Sequence, residues 1–424
     1  MSRLTFVHAA DLHLDSPFSG LHNVAPDEVA KIMYEATFLA YKNIIDLCIK
    51  EQVDALLVAG DIFDGADHSL RAQLKFVEGL GRLEKEGIRS FVCHGNHDPL
   101  DGWEAQLAFP AGCHRFGPEV EGIPMFEGEP DRAIVYGISY PRREVRENLV
   151  PKFGTAKRGP FNIGLLHANV DGNKEHGSYA PCTLNDLALT AISYWALGHV
   201  HTRQTLSAAN PTVVYPGNPQ GRQPNERGAR GVYVVEVNDA GQVDLEFHAV
   251  DVVRWELLEV NISELETDQG LLDAIDRKVA DCQGAADGRS AIFRLTLTGR
   301  GVLHNSLIRP QFVDDVLANI NDTWASQYPF VWCERVEVET AYPFDREQRR
   351  KGADFVGDLL KLCDESRGNP ALLSELSKAL QELYSRGHAS RYLRDCLPSD
   401  DEIRDLVAGA EEICLAELVD EDSL

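Results

Sequence analysis

The chain has 424 residues, of which 44% are hydrophobic and 25% are charged, and its formal net charge is −26. This balance excludes collagen-like, disulfide-scaffold and wholly disordered proteins, and the length is enough for two or three domains. No apolar run reaches the ~20 residues of a membrane helix, and the N-terminus lacks a signal-peptide pattern, so we predict a soluble, cytoplasmic protein that does not enter a membrane.

Apolar strands alternate with helical or irregular segments in the first 250 residues. Strands are predicted at 3–10, 54–59, 89–94, 133–139, 161–166, 194–198, 212–215 and 231–237, and helices at 27–50 and 70–86. Short apolar strands that end in polar residues indicate a layered α/β fold in which helices cover the sheets.

The pattern changes near residue 250. Strands at 256–262, 290–298 and 332–340 alternate with helices at 268–281 and 310–321, which is enough for a small α/β domain. From about residue 344 only helices are predicted. We therefore expect three domains, comprising residues 1–250, 251–343 and 344–424.

Five segments at the ends of predicted strands contain metal-ligating side chains. They are Asp11-Leu-His13, Gly60-Asp61-Ile-Phe-Asp64, Gly95-Asn96-His97-Asp98, Leu166-His167 and Gly198-His199-Val-His201. A single histidine after a strand is more often structural. Packing does not explain five such segments, because burying so many ionisable groups without partners costs free energy.

The residue types in these segments indicate a pair of metal ions. Carboxylate, amide and imidazole ligands suit Mn²⁺, Fe²⁺ or Zn²⁺. Two such ions ~3.5 to 4 Å apart activate water for in-line attack on phosphorus. The glycines before Asp61, Asn96 and His199 are expected to permit tight turns.

In this order, D-x-H, G-D-x-x-D, G-N-H-D, a lone histidine and G-H-x-H form the signature of the calcineurin-like metallophosphoesterases, which the chain resembles over residues 11–201. The resemblance implies a four-layer β-sandwich flanked by helices. It also implies the ligands of two metal ions. Those of one ion would be Asp11, His13 and His201, and those of the other Asn96, His167 and His199, with Asp61 bridging the two.

The resemblance also implies a catalytic histidine. His97 matches the family's non-ligand histidine, which protonates the leaving oxygen or stabilises the transition state, and Asp98 is expected to orient its other ring nitrogen. Archaeal and eukaryotic nucleases of this group have a histidine where Asp64 stands, so we predict a supporting role for Asp64.

Finer features resemble the bacterial YhaO- and SbcD-type DNA-repair exonucleases. They lie in segments 6–21, 179–181, 194–201, 215–222, 231–236 and 294–301. This resemblance implies a Mn²⁺-dependent exonuclease, 3′→5′ in polarity, that also cuts single strands internally. It further implies a capping or DNA-recognition domain at 251–343 and a homodimer. Residues 344–424 would dock on an SbcC-like, SMC-type ATPase.

The charge distribution bears on DNA as a partner. The strong net negative charge argues against it, but residues 132–158 contain seven basic and two acidic residues, and residues 203–230 contain four arginines and one glutamate. Residues 395–424 contain one arginine and eleven acidic residues, so part of the negative charge lies at the C-terminus. The nine cysteines are scattered and are predicted to be reduced thiols.

The arginines after the last ligand segment are candidates for binding backbone phosphates. They are Arg203, Arg222, Arg227 and Arg230. The basic segment 132–158 is expected to line another wall of a basic groove that binds DNA. Each of these side chains is also compatible with an ordinary solvated charge. Two other functions remain open, namely a hydrolase of small phosphodiesters or nucleotides and a non-catalytic subunit with a structural metal site.

Overall fold

The structure is a computed structural model that describes most of the chain. The described residues are 3–18, 21, 25–65, 69–103, 105, 107–157, 159–172, 177, 179–343, 346–385 and 398–418. Residues 395–397 and 419–424 of the acidic C-terminus lie outside this set. None of the helices described is both long and apolar enough to cross a membrane.

Fifteen strands are described along the chain. They are β1 (Leu4–Ala9), β2 (Ala55–Ala59), β3 (Arg89–Cys93), β4 (Cys113–Arg115), β5 (Glu121–Pro124), β6 (Ala133–Gly137), β7 (Phe161–His167), β8 (Tyr194–Gly198), β9 (Gln204–Ser207), β10 (Thr212–Tyr215), β11 (Gly231–Val237), β12 (Val243–Ala249), β13 (Val253–Asn261), β14 (Ser290–Arg300) and β15 (Val331–Ala341).

The described helices are of varied length, and from residue 346 onward the residues that the structure describes form helices and no strand. They are α1 (Asp27–Lys50), α2 (Leu70–Lys85), a 3₁₀ helix (Val150–Thr155), α3 (Leu184–Ala188), α4 (Asp268–Ala285), α5 (His304–Leu307), α6 (Pro310–Trp324), α7 (Arg346–Arg350), α8 (Phe355–Gly368), α9 (Pro370–Ser385) and α10 (Asp400–Leu418).

The chain divides into two compact units, each discontinuous in sequence. The first comprises Met1–Leu258, Val279–Arg294 and Asn319–Arg335, and the second comprises Glu259–Lys278, Leu295–Ala318 and Val336–Leu424. The domain boundaries predicted from the sequence, at 250/251 and 343/344, stay predictions.

Two six-stranded sheets form the centre of the first unit. Their strand orders are β12-β11-β1-β2-β3-β4 and β5-β6-β7-β8-β10-β9. Strands β1 to β4 are parallel to one another, as are β6, β7, β8 and β10, whereas β5, β9, β11 and β12 pair antiparallel. A third sheet has the order β13-β14-β15.

The alternation of side chains along β2 explains why this strand is apolar throughout. Leu57 packs with residues of the second sheet, such as Leu165 of β7. Leu56 points to the other face and packs with Ile44 of α1 and Phe76 of α2. Because a similar layer of side chains covers the outer face of the second sheet, the first unit has four layers, as the sequence predicts.

The sequence patterns miss the edge strands. β4, β5, β9 and β12 are half-buried or exposed at most positions, so their side chains are mixed rather than regularly apolar. The central strands are predicted to within two residues of their observed ends, because burial on both faces leaves a continuous apolar run.

The second unit contains α7 to α10. Val356 and Leu360 of α8 pack with Leu415 of α10. Around this small apolar cluster, Arg346 donates to the carboxylates of Asp364 and Glu411, in both cases at 2.6 Å. A network of charged hydrogen bonds therefore supports a small core.

Candidate metal centre

Five loops of the first unit meet at one edge of the two large sheets. The parallel strands β1, β2 and β3 end just before Asp11, Asp61 and Asn96. In the second sheet, β7 ends at His167, and its parallel neighbour β8 ends directly before His199. The carboxyl ends of parallel strands share one edge of a sheet, so the topology brings the predicted segments together.

Asp11, His13 and His201 form the first group of candidate ligands. One ligand atom from each lies within 4.8 Å of the others, and the Nε2 atoms of His13 and His201 are 3.2 Å apart. Asp11 and His13 are buried, and His201 is half-buried. This group has the same members as the set that the resemblance implies for one metal ion.

Two carboxylates fix the histidine rings of this group. Nδ1 of His13 lies 3.1 Å from Oδ1 of Asp64, and Nδ1 of His201 lies 2.6 Å from Oε1 of Glu226. A carboxylate beside Nδ1 favours a proton there, which leaves the Nε2 lone pair for a metal ion. Glu226 is not among the residues predicted from the sequence, where its one signal is that it is the lone acidic residue of the arginine-rich segment 203–230.

Asp11, Asp61 and His167 form a second group, again with one ligand atom from each within 4.8 Å of the others. Nε2 of His167 lies 3.0 Å from Oδ1 of Asn96 and 3.3 Å from Oδ2 of Asp61. Nδ1 of His167 donates to the carbonyl of Ala59 at 3.0 Å. Asp11 belongs to both groups, and the bridging role expected for Asp61 stays a prediction.

His199 lies beside the second group. Its ring centroid is 5.2 Å from that of His167, and its Nε2–H donates to the carbonyl of Gly177 at 2.8 Å. This hydrogen bond assigns the ring lone pair to Nδ1. The backbone N–H of His199 donates to the carboxylate of Asp11 at 3.0 Å, which ties two predicted ligands together.

Four candidate ligands have a left-handed backbone. The angle φ is 52° at Asp11, 42° at His13, 51° at Asp61 and 102° at His199. Residues other than glycine rarely adopt this conformation, and each costs on the order of 1–3 kcal/mol. Hydrogen bonds between the loops hold them in place, since the N–H of His13 donates to the carbonyl of Asp61 at 3.0 Å. Strain concentrated in this way is typical of functional sites.

The glycines that precede three of the ligands serve different purposes. Gly60 has a φ of 85°, as a tight turn requires, which confirms the prediction there. Gly95 and Gly198 do not have positive φ. A Cβ on Gly95 would collide with the carboxylate of Asp61, and one on Gly198 with the carbonyl of Ala59. For these two glycines the prediction of a turn conformation is wrong, and the constraint is space.

His97 lies beside the first group, with its side chain 40% exposed. Its Nδ1 lies 2.5 Å from Oδ1 of Asp64, and its ring centroid is 4.9 Å from that of His13. Burial by itself lowers the pKa of His97, but the carboxylates of Asp64 and Asp61 outweigh burial and raise this pKa above its ordinary value. His97 is therefore held at the open side of the site in an environment that favours its protonated form.

The prediction that Asp98 orients His97 is wrong. Oδ2 of Asp98 accepts from the backbone N–H of Ile62 at 3.0 Å and lies 3.2 Å from Nδ1 of His94. The carboxylate thus points inward and ties the loop after β2 to the loop after β3. The partner of His97 is Asp64, and the supporting role predicted for Asp64 stays a prediction.

Comparison with known proteins decides the family. Residues 4–203 match the family described as calcineurin-like phosphoesterase, and residues 255–341 match the one described as metallophosphoesterase YhaO, middle domain. Over 99% of its length the chain is 34% identical to the uncharacterized metallophosphoesterase YhaO of Bacillus subtilis (strain 168), of which 98% is covered. The chain is a calcineurin-like metallophosphoesterase of the YhaO family.

Proteins named for nuclease or repair functions are less similar to this metallophosphoesterase. It is 24% identical to the DNA double-strand break repair protein Mre11 of Sulfurisphaera tokodaii, over 73% of this chain and 77% of that protein. It is 26% identical to the SbcD component of the nuclease SbcCD of Bacillus subtilis (strain 168), over 55% of this chain and 66% of that protein. The family and the two packed sheets together confirm the predicted fold class.

Metallophosphoesterases bind a dinuclear metal centre, and the donor set of this chain fits one. Asp11 and Asp61 are each 1% exposed, and within the described part of the chain they face histidines rather than lysine or arginine side chains. Burial raises the pKa of Asp11 to about 6. Because buried carboxylates without a cation are costly, this edge of the sheets suits added divalent ions.

Two of the four arginines predicted to contact phosphate make bonds inside the metallophosphoesterase unit. Arg230 is buried and donates to the carbonyl of His201 at 2.5 Å, so the prediction that it binds substrate is wrong. Arg222 has a side chain 13% exposed and donates to Oγ of Ser16 at 2.5 Å and to Oδ2 of Asp64 at 3.2 Å. Arg222 therefore positions Asp64.

The other two arginines are exposed. The guanidinium of Arg203 lies 3.7 Å from the ring centroid of Phe247, on β12. Arg227 forms an isolated backbone bridge with Trp255 at the start of β13. Neither contact joins these arginines to a candidate metal ligand, so their predicted role toward phosphate stays a prediction.

Proposed function

We propose that this metallophosphoesterase is a Mn²⁺-dependent DNA exonuclease, 3′→5′ in polarity, that also cuts single-stranded DNA internally. The observation that carries the proposal is the partly exposed His97, held by Asp64 beside two groups of metal-ligating side chains. DNA as the substrate is supported by relatives named as a component of a nuclease and as a double-strand break repair protein.

We propose that the ligands divide between two ions as the family resemblance implies, and both proposed sets contain histidines whose other ring nitrogen is already bonded. One ion would be held by Asp11, His13 and His201, and the other by Asn96, His167 and His199, with Asp61 between them. When bound, the two ions supply Lewis acidity and activate water at neutral pH.

The chain itself supplies the proton for the leaving group. His97 is proposed to donate from Nε2 to the departing 3′ oxygen, because Nδ1 is engaged by Asp64. Arg222, which also donates to Oγ of Ser16, donates to the other oxygen of Asp64 and so restrains the carboxylate beside the ring. The pKa of His97 is raised by Asp64 and Asp61, which outweigh burial, and this favours the protonated form of the donor.

The remainder of the chain is proposed to serve the substrate and a partner. Residues 1–250 would form the nuclease domain and residues 251–343 a capping domain that contacts DNA, which the match of residues 255–341 to a middle domain supports. Residues 344–424 would bind an SbcC-like, SMC-type ATPase. Exposed apolar side chains at Phe355, Leu362 and Ile413 support a protein partner. A homodimer is proposed by analogy with SbcD-type nucleases.

The competing function is hydrolysis of small phosphodiesters or nucleotides. This function is supported because the metal-ligating side chains suit phosphoesters in general and do not distinguish DNA from small substrates. A non-catalytic subunit is less well supported, because a purely structural metal site would give no function to the partly exposed ring of His97.

Nuclease activity of the purified full chain with Mn²⁺ tests the proposal. The substrates are end-labelled linear DNA, closed circular single-stranded DNA and bis(p-nitrophenyl) phosphate, with His97→Ala as the catalytic control. We expect shortening of linear DNA and cutting of the circle, both lost in His97→Ala. Hydrolysis of the aryl diester without any DNA cleavage would replace the proposal with the small-diester function.

A further inference from the structure

The loop after β6 carries two arginines, Arg142 and Arg143, that have no part in the site described above. The loop begins where β6 ends, next to β7 and its candidate ligand His167. Tyr140 anchors it, because its N–H donates to the carbonyl of His94 at 3.0 Å and its ring lies edge-on to His167 at 5.6 Å. The start of the loop is therefore fixed against the metal-ligand loops.

The far end of the same loop is fixed against another ligand. The carbonyl of Val145 accepts from the N–H of Ala180 at 2.7 Å. The residue before Ala180 is Tyr179, whose ring lies edge-on to that of His199 at 5.7 Å. Both anchors of the loop thus touch a segment that contacts a candidate metal ligand.

The loop is too short to leave the rim of the site. Arg142 is two residues from Tyr140, and Arg143 is two residues from Val145. Two residues of extended chain span at most about 7 Å. The backbone of each arginine therefore stays within about 7 Å of an anchored residue, and the long side chains extend the reach of the guanidinium groups further.

Both arginines are exposed and carry an unbalanced charge. No carboxylate of the described residues pairs with either of them, and the neighbouring Glu144 accepts from Arg146 at 2.9 Å. Two adjacent exposed guanidinium groups stand out in a chain with a net charge of −26. Planar guanidinium groups match the oxygens of phosphate, so this pair suits an anionic backbone.

We propose that Arg142 and Arg143 bind the phosphodiester backbone of the DNA strand that enters the metal centre. The inference rests on the proposed nuclease function and assigns a DNA contact to this loop, whereas within residues 203–230 Arg230 is buried and Arg222 holds Asp64. Contacts of this kind position a strand without reading its bases. The loop therefore contributes affinity that depends on salt and not on sequence.

Binding of a fluorescein-labelled 30-nucleotide single strand, followed by anisotropy in EDTA, tests the inference without hydrolysis. The test variant is Arg142→Ala/Arg143→Ala, with Arg142→Gln/Arg143→Gln as a second form. The matched control is Lys50→Ala/Lys85→Ala, which also removes two exposed positive charges. Lys50 and Lys85 lie in the last turns of α1 and α2, which run back to the opposite edge of the first sheet.

Each phosphate contact with single-stranded DNA contributes about 0.7 to the slope of log Kd against log salt concentration. Loss of two contacts should lower that slope by about 1.4 and raise Kd about 25-fold at 0.1 M salt. The lysine control should leave the slope unchanged. We expect the glutamine form to behave like the alanine form, because neither keeps the charge.

The outcomes separate this inference from the function on which it rests. If the unmodified chain binds and cuts DNA while the arginine variants keep its Kd and salt slope, the inference is wrong and the function stands. Equal losses in the arginine and lysine variants would also overturn it, since they indicate a general charge effect. If the unmodified chain neither binds nor cuts DNA but hydrolyses the aryl diester, the proposed function fails first.

Discussion

Two regions of the molecule bury carboxylates in different ways. At the metal-ligand edge of the first unit, Asp11 and Asp61 face histidine rings. In the C-terminal helices of the second unit, Glu411 is 4% exposed and accepts from Arg346 at 2.6 Å and Arg367 at 2.7 Å. Buried carboxylates at the metal-ligand edge therefore depend on an added cation for charge balance. Those in the C-terminal helices are neutralised by arginines of the chain itself.

The pKa values of the two buried carboxylates at the metal-ligand edge move in opposite directions, because burial raises both but His167 outweighs burial at Asp61 and lowers its pKa. Burial raises the pKa of Asp11 to about 6, because no permanent cation offsets the loss of water. The hydrogen bond from Arg346 lowers the pKa of Asp364 in the helical region. A buried acidic residue is thus not by itself a sign of a metal site. The sign is a buried acidic residue whose partners are other metal-ligating groups.

The largest effect is expected from Asp61→Ala, which removes a buried carboxylate from the metal-ligand edge. Hydrolysis of bis(p-nitrophenyl) phosphate should fall more than about 100-fold, since changing even a residue behind a metal ligand costs 10- to 100-fold. Bound Mn²⁺, measured by elemental analysis after gel filtration, should fall from two ions per chain to one or none.

The control for that change lies in the helical region. Asp364→Asn removes a carboxylate whose partners are arginines, so it should leave both bound Mn²⁺ and hydrolysis unchanged. The proposed difference between the two regions is wrong if the Asp61→Ala variant still binds two Mn²⁺ ions, or if the Asp364→Asn variant loses them.

His97→Ala is expected to have the next largest effect. Turnover of DNA should fall about 10²- to 10⁴-fold, the usual contribution of a general acid, while bound Mn²⁺ stays at two ions. Loss of metal together with activity would instead place His97 among the ligands.

Asp64→Asn tests how His97 is tuned. A general acid must be protonated, so turnover declines as pH rises through its pKa. Asp64 raises the pKa of His97, and removal of its charge should move that decline to lower pH. An unchanged alkaline limb in the pH profile of kcat would show that Asp64 does not act through His97.

A smaller effect is expected from Glu226→Gln. Glu226 holds Nδ1 of His201 at 2.6 Å, and loss of such a carboxylate typically lowers metal affinity 10- to 100-fold. The matched control is Glu246→Gln, because Glu246 also lies beside a histidine, His248 at 3.2 Å, but is 72% exposed. Titration with Mn²⁺ in a calorimeter measures both. Equal Mn²⁺ affinities in the two variants would show that Glu226 does not support metal binding.

Local sequence patterns are sufficient where the chain is regular. The apolar runs that become β1, β2, β3, β7 and β8 are visible because both faces of these strands are buried. The ligand segments directly follow such strands, so their meeting point follows from parallel pairing. This is why the sequence alone finds the edge at which the site lies.

Contacts between distant segments are not visible in the same way. Glu226 lies in an irregular loop, and nothing near it in the sequence indicates that it contacts a histidine 25 residues earlier. Asp98 directly follows His97, yet its carboxylate turns to His94 and Ile62. Arg230 has the charge of a phosphate-binding residue but is buried under His201. In each case the conformation of a loop determines which groups the side chain contacts. Hydrophobic periodicity does not predict that conformation.

The smallest effect is expected from Arg346→Gln, in the region where the chain supplies its own cations. Arg346 bonds to Asp364 and Glu411 with a side chain 33% exposed, so we expect α8 and α10 to lose about 1 to 2 kcal/mol of local stability at pH 7. Amide hydrogen exchange corrected for intrinsic rates measures this loss. Arg404→Gln, in the more exposed pair with Asp401, should cost less.

The effect of Arg346→Gln should also depend on pH. The pKa of Asp364 is lowered in the folded chain, chiefly by Arg346, so the stabilisation is fully present above the unfolded value of about 3.9 and is lost as pH falls through the lower folded value. The difference in exchange between the variant and the unmodified chain should therefore narrow below about pH 4. A constant difference down to about pH 2.5 would show that Arg346 acts through packing rather than charge, and the two regions would then differ in geometry more than in electrostatics.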